Sequence, residues 1–114
     1  MQYVRLGRSG LKVSRICIGT NMFGAGYVND DRAISVVNEA HEQGINFIDT
    51  AAMYGVSEER IGRHISDRKD EFIVATKCGD YQVEEGGTWR VVKDYSPEGI
   101  TRTIDESRRK LKLD

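Results

Sequence analysis

The stretch Gly44-Ile45-Asn46-Phe47-Ile48-Asp49-Thr50-Ala51-Ala52-Met53-Tyr54-Gly55 decides how this chain reads. Phe47-Ile48 is an apolar run that delivers Asp49 at the end of a buried strand, and Tyr54 follows five residues later in a loop. A second apolar run, Phe72 to Ala75, delivers Lys77. Neighbouring strands lie about 4.8 Å apart. If strand order follows the sequence, Asp49 and Lys77 can therefore form a salt bridge. A tyrosine phenol is a weak acid, with an intrinsic pKa of about 10, and a nearby cation lowers that value. An Asp that holds a Lys, and a Lys that acidifies a Tyr, together make a proton donor for a carbonyl oxygen as a hydride reaches the carbon.

Outward from this stretch the chain alternates regularly. Tyr3-Val4-Arg5-Leu6 and Leu11-Lys12-Val13-Ser14 flank Gly7-Arg8-Ser9-Gly10 and predict a β-hairpin. Ile16-Cys17-Ile18 predicts a strand buried on both faces, followed by Gly19-Thr20 and a glycine-rich loop to Gly26. Asp30 or Asp31 is the expected cap of a first helix with an apolar stripe of Ala33, Val36, Val37 and Ala40, stopped by Gly44 at C′. A strand over 46–49 follows. Ser57 is the expected cap of a second helix, with Glu58 and Glu59 in its first turn and Ile61 and Ile65 on its buried face. A strand over 72–76 leads into a long loop from Cys78 to Tyr95. Ser96-Pro97-Glu98 then opens a third helix, with Ile100, Ile104, Ser107 and Leu111 inward. Its outer face is expected to carry the i,i+4 pairs Glu98/Arg102, Arg102/Glu106, Asp105/Arg109 and Glu106/Lys110.

A hairpin followed by βαβαβα means a parallel sheet with right-handed crossovers. Gly19-Thr20, Asp49 and Lys77 all fall at carboxyl ends of strands, which favours the start of a (β/α)8 barrel over a doubly wound sheet. A whole barrel takes about 250 residues. Three strands leave one sheet face bare, so residues 1–114 are expected to be an incomplete barrel domain within a longer protein.

Composition narrows the function. The chain is 39% apolar and 31% charged with net charge −1, which is ordinary for a globular domain and gives no reason to expect nucleic acid or an anionic membrane as partner. Arg108-Arg109-Lys110 is the one basic run and reads as a solvated helix face. No run approaches the ~18 apolar residues of a membrane span. The opening MQYVRLGRSG has no signal-peptide core. Two cysteines make no disulfide framework: Cys17 and Cys78 belong two strands apart, near 10 Å, beyond the ~7 Å that a disulfide tolerates. The expected setting is a reducing cytoplasm, and no metal site is expected.

At these residues the sequence resembles the aldo-keto reductase family. GINFIDTAAMYG with SEERIG (57–62) looks like that family's first signature, and VATKCG (74–79) like its third-strand lysine motif. YVRLGRSGLKVSRICIGTNMFG (3–24) resembles its hairpin and first strand, and SPEGITRTIDESRRKLKLD (96–114) its third helix. The resemblance implies a (β/α)8 TIM barrel and NADP(H)-dependent reduction of aldehydes or ketones. Tyr54 would be the proton donor, Lys77 would tune it, and Asp49 would hold Lys77 and lie against the nicotinamide ribose. Gly19, Thr20 and Asn21 would meet the nicotinamide end of the cofactor. Asn21-Met22-Phe23 stand where many members carry a Trp, so Phe23 belongs to the expected substrate wall. Tyr81 and Trp89 of the long loop either line that pocket or pack their loop on the barrel.

The family's catalytic His falls just past Asp114, and the segments that grip the rest of the cofactor come later still. His41 and His64 are expected as helix residues with no catalytic part, and residues 1–114 alone are expected to be inactive. Two other readings fit the same residues. One is a cofactor-binding regulatory subunit, like the potassium-channel β-subunits of the same family. The other is a truncated remnant that assembles with copies of itself through Ile16, Ile18, Phe47 and Ile73; a homo-oligomer is compatible with any of the three.

Overall fold

The computed structural model describes residues 1–24 and 26–114; the expected glycine-rich loop therefore has one position, residue 25, outside the described residues. At the centre is a parallel sheet of β3 (Ile18–Gly19), β4 (Phe47–Asp49) and β5 (Ile73–Ala75), in sequence order. The register aligns Ile18 with Ile48 and Ile48 with Val74, and it aligns Gly19 with Asp49 and Asp49 with Ala75. Side chains alternate across a strand, so this register sorts the sheet into two faces. Ile18 and Ile48 join the core with Val37, Ile61, Ile65 and Leu111, and Val74 packs against it. Phe47, Asp49, Ile73 and Ala75 face the other way and are only half-buried. Ile18 is thus a core residue and not part of the bare face. Ile16 lies before the strand and is 56% exposed, so the expected two-sided burial of residues 16–18 does not hold.

The amino-terminal hairpin pairs β1 (Tyr3–Arg5) with β2 (Lys12–Ser14). Its turn uses Gly7 and Gly10 at positive φ. Asn46, just before β4, fastens the hairpin to the body: its side chain accepts from Ser14 N at 2.7 Å and donates to the Lys12 carbonyl at 3.1 Å.

Helix α1 (Asp30–Glu42) is capped by Asn29, whose side chain accepts from Arg32 N, and not by Asp30 or Asp31. Those two acids sit in the first turn, where the helix dipole favours them. Ala33 and Val37 are fully buried while Val36 is exposed, and the helix stops at Gly44, with φ +83°. Helix α2 (Ser57–Ile65) begins without a side-chain cap. Ser57 lies inside the helix and uses its hydroxyl elsewhere.

The segment expected as a long loop is a second hairpin. β6 (Asp80–Glu85) pairs with β7 (Thr88–Lys93) through the two-residue turn Gly86-Gly87, at φ +60° and +81°. Positive φ at both positions is the type I′ turn that matches strand twist. The chain then enters α3 (Pro97–Leu111), with Pro97 in its first turn and Ser96 Oγ accepting from Gly99 N at 3.0 Å.

The buried face of α3 is Gly99, Thr103, Ser107 and Leu111, while Ile104 is 43% exposed. Of the expected stripe, Ser107 and Leu111 are buried, Ile100 is half-buried and Ile104 is exposed, while Gly99 and Thr103 lie inward. A Cβ on Gly62 of α2 would lie 2.1 Å from the Lys110 carbonyl oxygen. Among the expected outer pairs, Glu106–Lys110 forms at 3.8 Å. Glu106 also takes Arg109, Asp105 takes Arg108, and Arg102 turns away to Asp94.

Gly62→Ala in the full-length protein is therefore expected to lower the unfolding midpoint, by the equivalent of about 1–3 kcal/mol for overpacking. Chemical denaturation measures it; a wild-type midpoint would show that the two helices separate without cost.

Candidate active site

Asp49, the last residue of β4, points from the sheet face opposite the core. Lys77 follows two residues after β5 on the same side and meets it. Its ammonium donates to both Asp49 oxygens, at 2.9 and 2.7 Å, and to the Thr50 carbonyl at 2.9 Å. All three of these acceptors lie at the end of one neighbouring strand. The same cation stands 5.2 Å from the centre of the Tyr54 ring. The three residues picked out in the sequence are thus brought together.

Burial is the largest single influence on the Lys77 pKa and pushes it down. The Asp49 hydrogen bonds and charge, with a contribution from Tyr54, outweigh burial and leave it above the ordinary lysine value.

Backbone contacts fix the Tyr54 loop. The short helical turn 21–24 stacks directly on it: a Cβ on Gly24 would sit 1.7 Å from the Tyr54 carbonyl oxygen, and one on Gly55 would sit 2.9 Å from the Gly24 oxygen. Arg60 of α2 donates to the Phe23 and Val28 carbonyls and to Asp30. Next to the strand ends lies a buried hydroxyl cluster. Thr20 Oγ1 donates to the Asp49 carbonyl at 2.9 Å, and Ser57 Oγ lies 3.0 Å from Thr50 Oγ1 and 3.1 Å from Thr20 Oγ1.

The remaining expected site residues fall in different places. Gly19 is exposed beside Asp49, and a Cβ there would meet nothing within 4 Å. Asn21 is exposed at the head of the 21–24 turn. Thr20 is fully buried, with its hydroxyl occupied by Asp49 and Ser57. Phe23 is 5% exposed and belongs to the core cluster, which leaves its ring no open wall to line.

The β6–β7 hairpin separates the two loop aromatics by strand alternation. Tyr81 is on the face turned to α3, where its hydroxyl accepts from Arg102 and its ring lies under that guanidinium. Trp89 shares the opposite face with Gln82 and Val91, and Gln82 abuts Gly55, next to Tyr54. His41 pairs with Glu71 and tilts against Phe72, both remote from the site. His64 is partly buried, and burial lowers its pKa.

Gly24, Ser57, Glu58, Arg60 and Gln82 were not singled out as site-building residues by the sequence. Gly55 and the SEER run lay inside the quoted motifs, but nothing in their spacing announced buried polar contacts.

A raised folded-state pKa on Lys77 contributes stability that is complete below the ordinary value of 10.5 and is lost as pH rises through the higher folded value. In the full-length protein, Lys77→Met is expected to flatten the alkaline fall of the thermal midpoint and to leave the slope near neutral pH unchanged. An unaltered alkaline slope would contradict the pairing.

Comparison with known proteins fits this arrangement. The model for the Aldo/keto reductase family matches residues 15–114. L-Galactose dehydrogenase of Arabidopsis thaliana is 40% identical over 116 residues, covering 96% of this chain and 34% of that protein. NADH-specific methylglyoxal reductase of Escherichia coli is 34% identical over 128 residues, covering all of this chain and 39% of that protein. Among solved structures, a putative aldo-keto reductase of Pseudomonas aeruginosa superposes with TM-score 0.88 at 33% identity, over 98% of this chain and 43% of that one. An aldo-keto reductase of Bacillus halodurans gives 0.86 at 32% identity, over 100% and 37%. These neighbours are (β/α)8 barrels, and the chain spans about a third to two-fifths of the length of the proteins it matches. The sheet order, the pairing at the strand ends and the family match over nearly its whole length agree: the chain belongs to the aldo/keto reductase family.

Proposed function

We propose that the full-length protein is an NADP(H)-dependent oxidoreductase that interconverts aldehydes or ketones with alcohols, with Tyr54 as proton donor. The observation that carries this reading is the Lys77 cation, fixed by Asp49 and held over the Tyr54 ring. The cofactor is proposed because aldo-keto reductases use nicotinamide nucleotides. Gly19 is exposed directly beside Asp49, whose carboxylate is only partly covered, and this pair is proposed to face its nicotinamide end. Gly19, the Thr20 backbone, Asn21 and Asp49 would hold that end. The bound nicotinamide supplies a hydride at its C4 position.

Residues of this chain would carry part of the proton transfer, alongside the family His expected beyond Asp114. Tyr54 gives its phenolic proton to the carbonyl oxygen as negative charge develops there. Lys77 stabilises the phenolate left behind, in a place fixed before the reaction starts. Asp49 keeps the ammonium from swinging into solvent. Run in reverse, the same phenolate takes a proton from an alcohol, so one site serves reduction and oxidation. Trp89 and Val91, on the hairpin face shared with Gln82, are proposed to border the substrate. The phosphate form of the cofactor is proposed over NADH from the family resemblance, although one relative is by name NADH-specific.

The test is Tyr54→Phe in the full-length protein. Turnover of a simple aldehyde is expected to fall by about 10²–10⁴-fold, the usual worth of a positioned acid, with NADPH affinity unchanged by fluorescence titration. Unchanged turnover would overturn the assignment, and parallel titration with NADH tests the cofactor preference.

A further inference from the structure

Among the described residues, Glu58 is the one buried carboxyl group that the proposed chemistry does not use. It lies in the first turn of α2, four residues after Tyr54, and is 2% exposed. A carboxyl group is rarely buried to this extent without a specific partner. Its partner is Thr76, whose Oγ1 donates to Glu58 Oε1 at 2.7 Å. Thr76 is the residue immediately before Lys77. Alternation along the strand puts Thr76 on the helical side of the sheet and Lys77 on the pocket side. The bond therefore ties the outer side of the chain just where its inner side presents the ammonium.

The neighbouring residue does the same for the other two strands. Ser57 reaches the Thr20 carbonyl and hydroxyl beyond β3, and the Thr50 hydroxyl beyond β4. Two consecutive residues of α2 thus hold the carboxyl ends of all three parallel strands. Both directly follow the loop that carries Tyr54.

We infer that Glu58 is a positioning residue: by accepting the Thr76 hydroxyl it fixes the strand end that aims Lys77 at Asp49 and Tyr54. This rests on the proposed reaction, in which Lys77 must stay beside the phenol. The tie acts on the geometry of the proton donor and not on the cofactor surface near Gly19. Its loss should therefore appear in kcat and not in the KM for the cofactor.

The experiment uses the full-length protein with NADPH and a simple aldehyde, each variant checked for folding by circular dichroism. Thr76→Val removes the donor, and Glu58→Ala removes the acceptor from the other side. Each is expected to lower kcat about tenfold while the NADPH KM stays within about twofold, the scale of a small misplacement of a catalytic group. Thr76→Ser keeps a hydroxyl and Glu58→Gln keeps an acceptor oxygen, and both are expected to retain kcat within about twofold of wild type.

Wild-type kcat in folded Thr76→Val or Glu58→Ala would overturn the inference. So would equal losses in the two conservative variants, or a cofactor KM that rises in step with the fall in kcat. If Thr76→Val does not fold, Glu58→Ala against Glu58→Gln carries the comparison. Tyr54→Phe run alongside separates the two levels: a dead Tyr54→Phe with fully active Thr76→Val and Glu58→Ala removes only the positioning role, whereas an active Tyr54→Phe removes the reaction and the inference together.

Discussion

The pairing of the Lys77 ammonium with the end of the neighbouring strand sets the geometry of the site. Lys77 finds three acceptors at the end of β4, two from the Asp49 carboxylate and one from the Thr50 carbonyl. Both side chains are partly open to solvent, so the pair contributes little to overall stability. Its consequence is geometric. It fixes the end of one strand against the end of the next and sets a positive charge over a phenol. The register of the sheet makes this possible, because Asp49 and Ala75 are direct partners and Lys77 lies two residues further on the same side.

The other half of the site is built by close backbone approach. Tyr54 does not belong to a strand and must be located by its loop. That loop is pressed against the 21–24 turn so tightly that neither Gly24 nor Gly55 has space for a side chain. Gly62 serves the same end at the helical layer, letting α3 close on α2 and brace the helix that leaves the Tyr54 loop. Ser57 and Glu58 then convert that brace into hydrogen bonds to strand ends. Placement of an acid, a phenol and an amine is thus the joint result of strand register, glycine contacts and two buried polar residues.

The parts legible in the sequence were those set by local pattern. Short apolar runs located β4 and β5, and the positions of Asp49 and Lys77 after them placed both on one face. Ser96-Pro97 marked the start of α3 because its cap is a local hydrogen bond. The parts that were not legible depend on what packs against them. Asn29 caps α1 although two aspartates follow it, since only its side chain reaches Arg32 N. Ser57 has the residue type of a cap, but its hydroxyl is taken up by the buried hydroxyls of Thr20 and Thr50, just beyond β3 and β4. Phe23 looked like a pocket wall, yet the turn that carries it rolls its ring into the core. On α3, Ser107 and Leu111 are legible as inward residues, but Gly99 and Thr103 carry no apolar signal, and Ile104 is exposed. The β6–β7 hairpin carried a readable signal, Gly86-Gly87 between alternating runs. The charged and polar residues of 80–85 disguised it as loop.

A crystal structure of the full-length protein with bound NADP⁺ tests the central claim most directly. The expected result keeps the Lys77 ammonium on Asp49 and Thr50, with the Tyr54 hydroxyl and the nicotinamide ring facing a common space above Gly19. A nicotinamide bound away from Asp49, or a Lys77 turned out of the pocket in the complex, would contradict it.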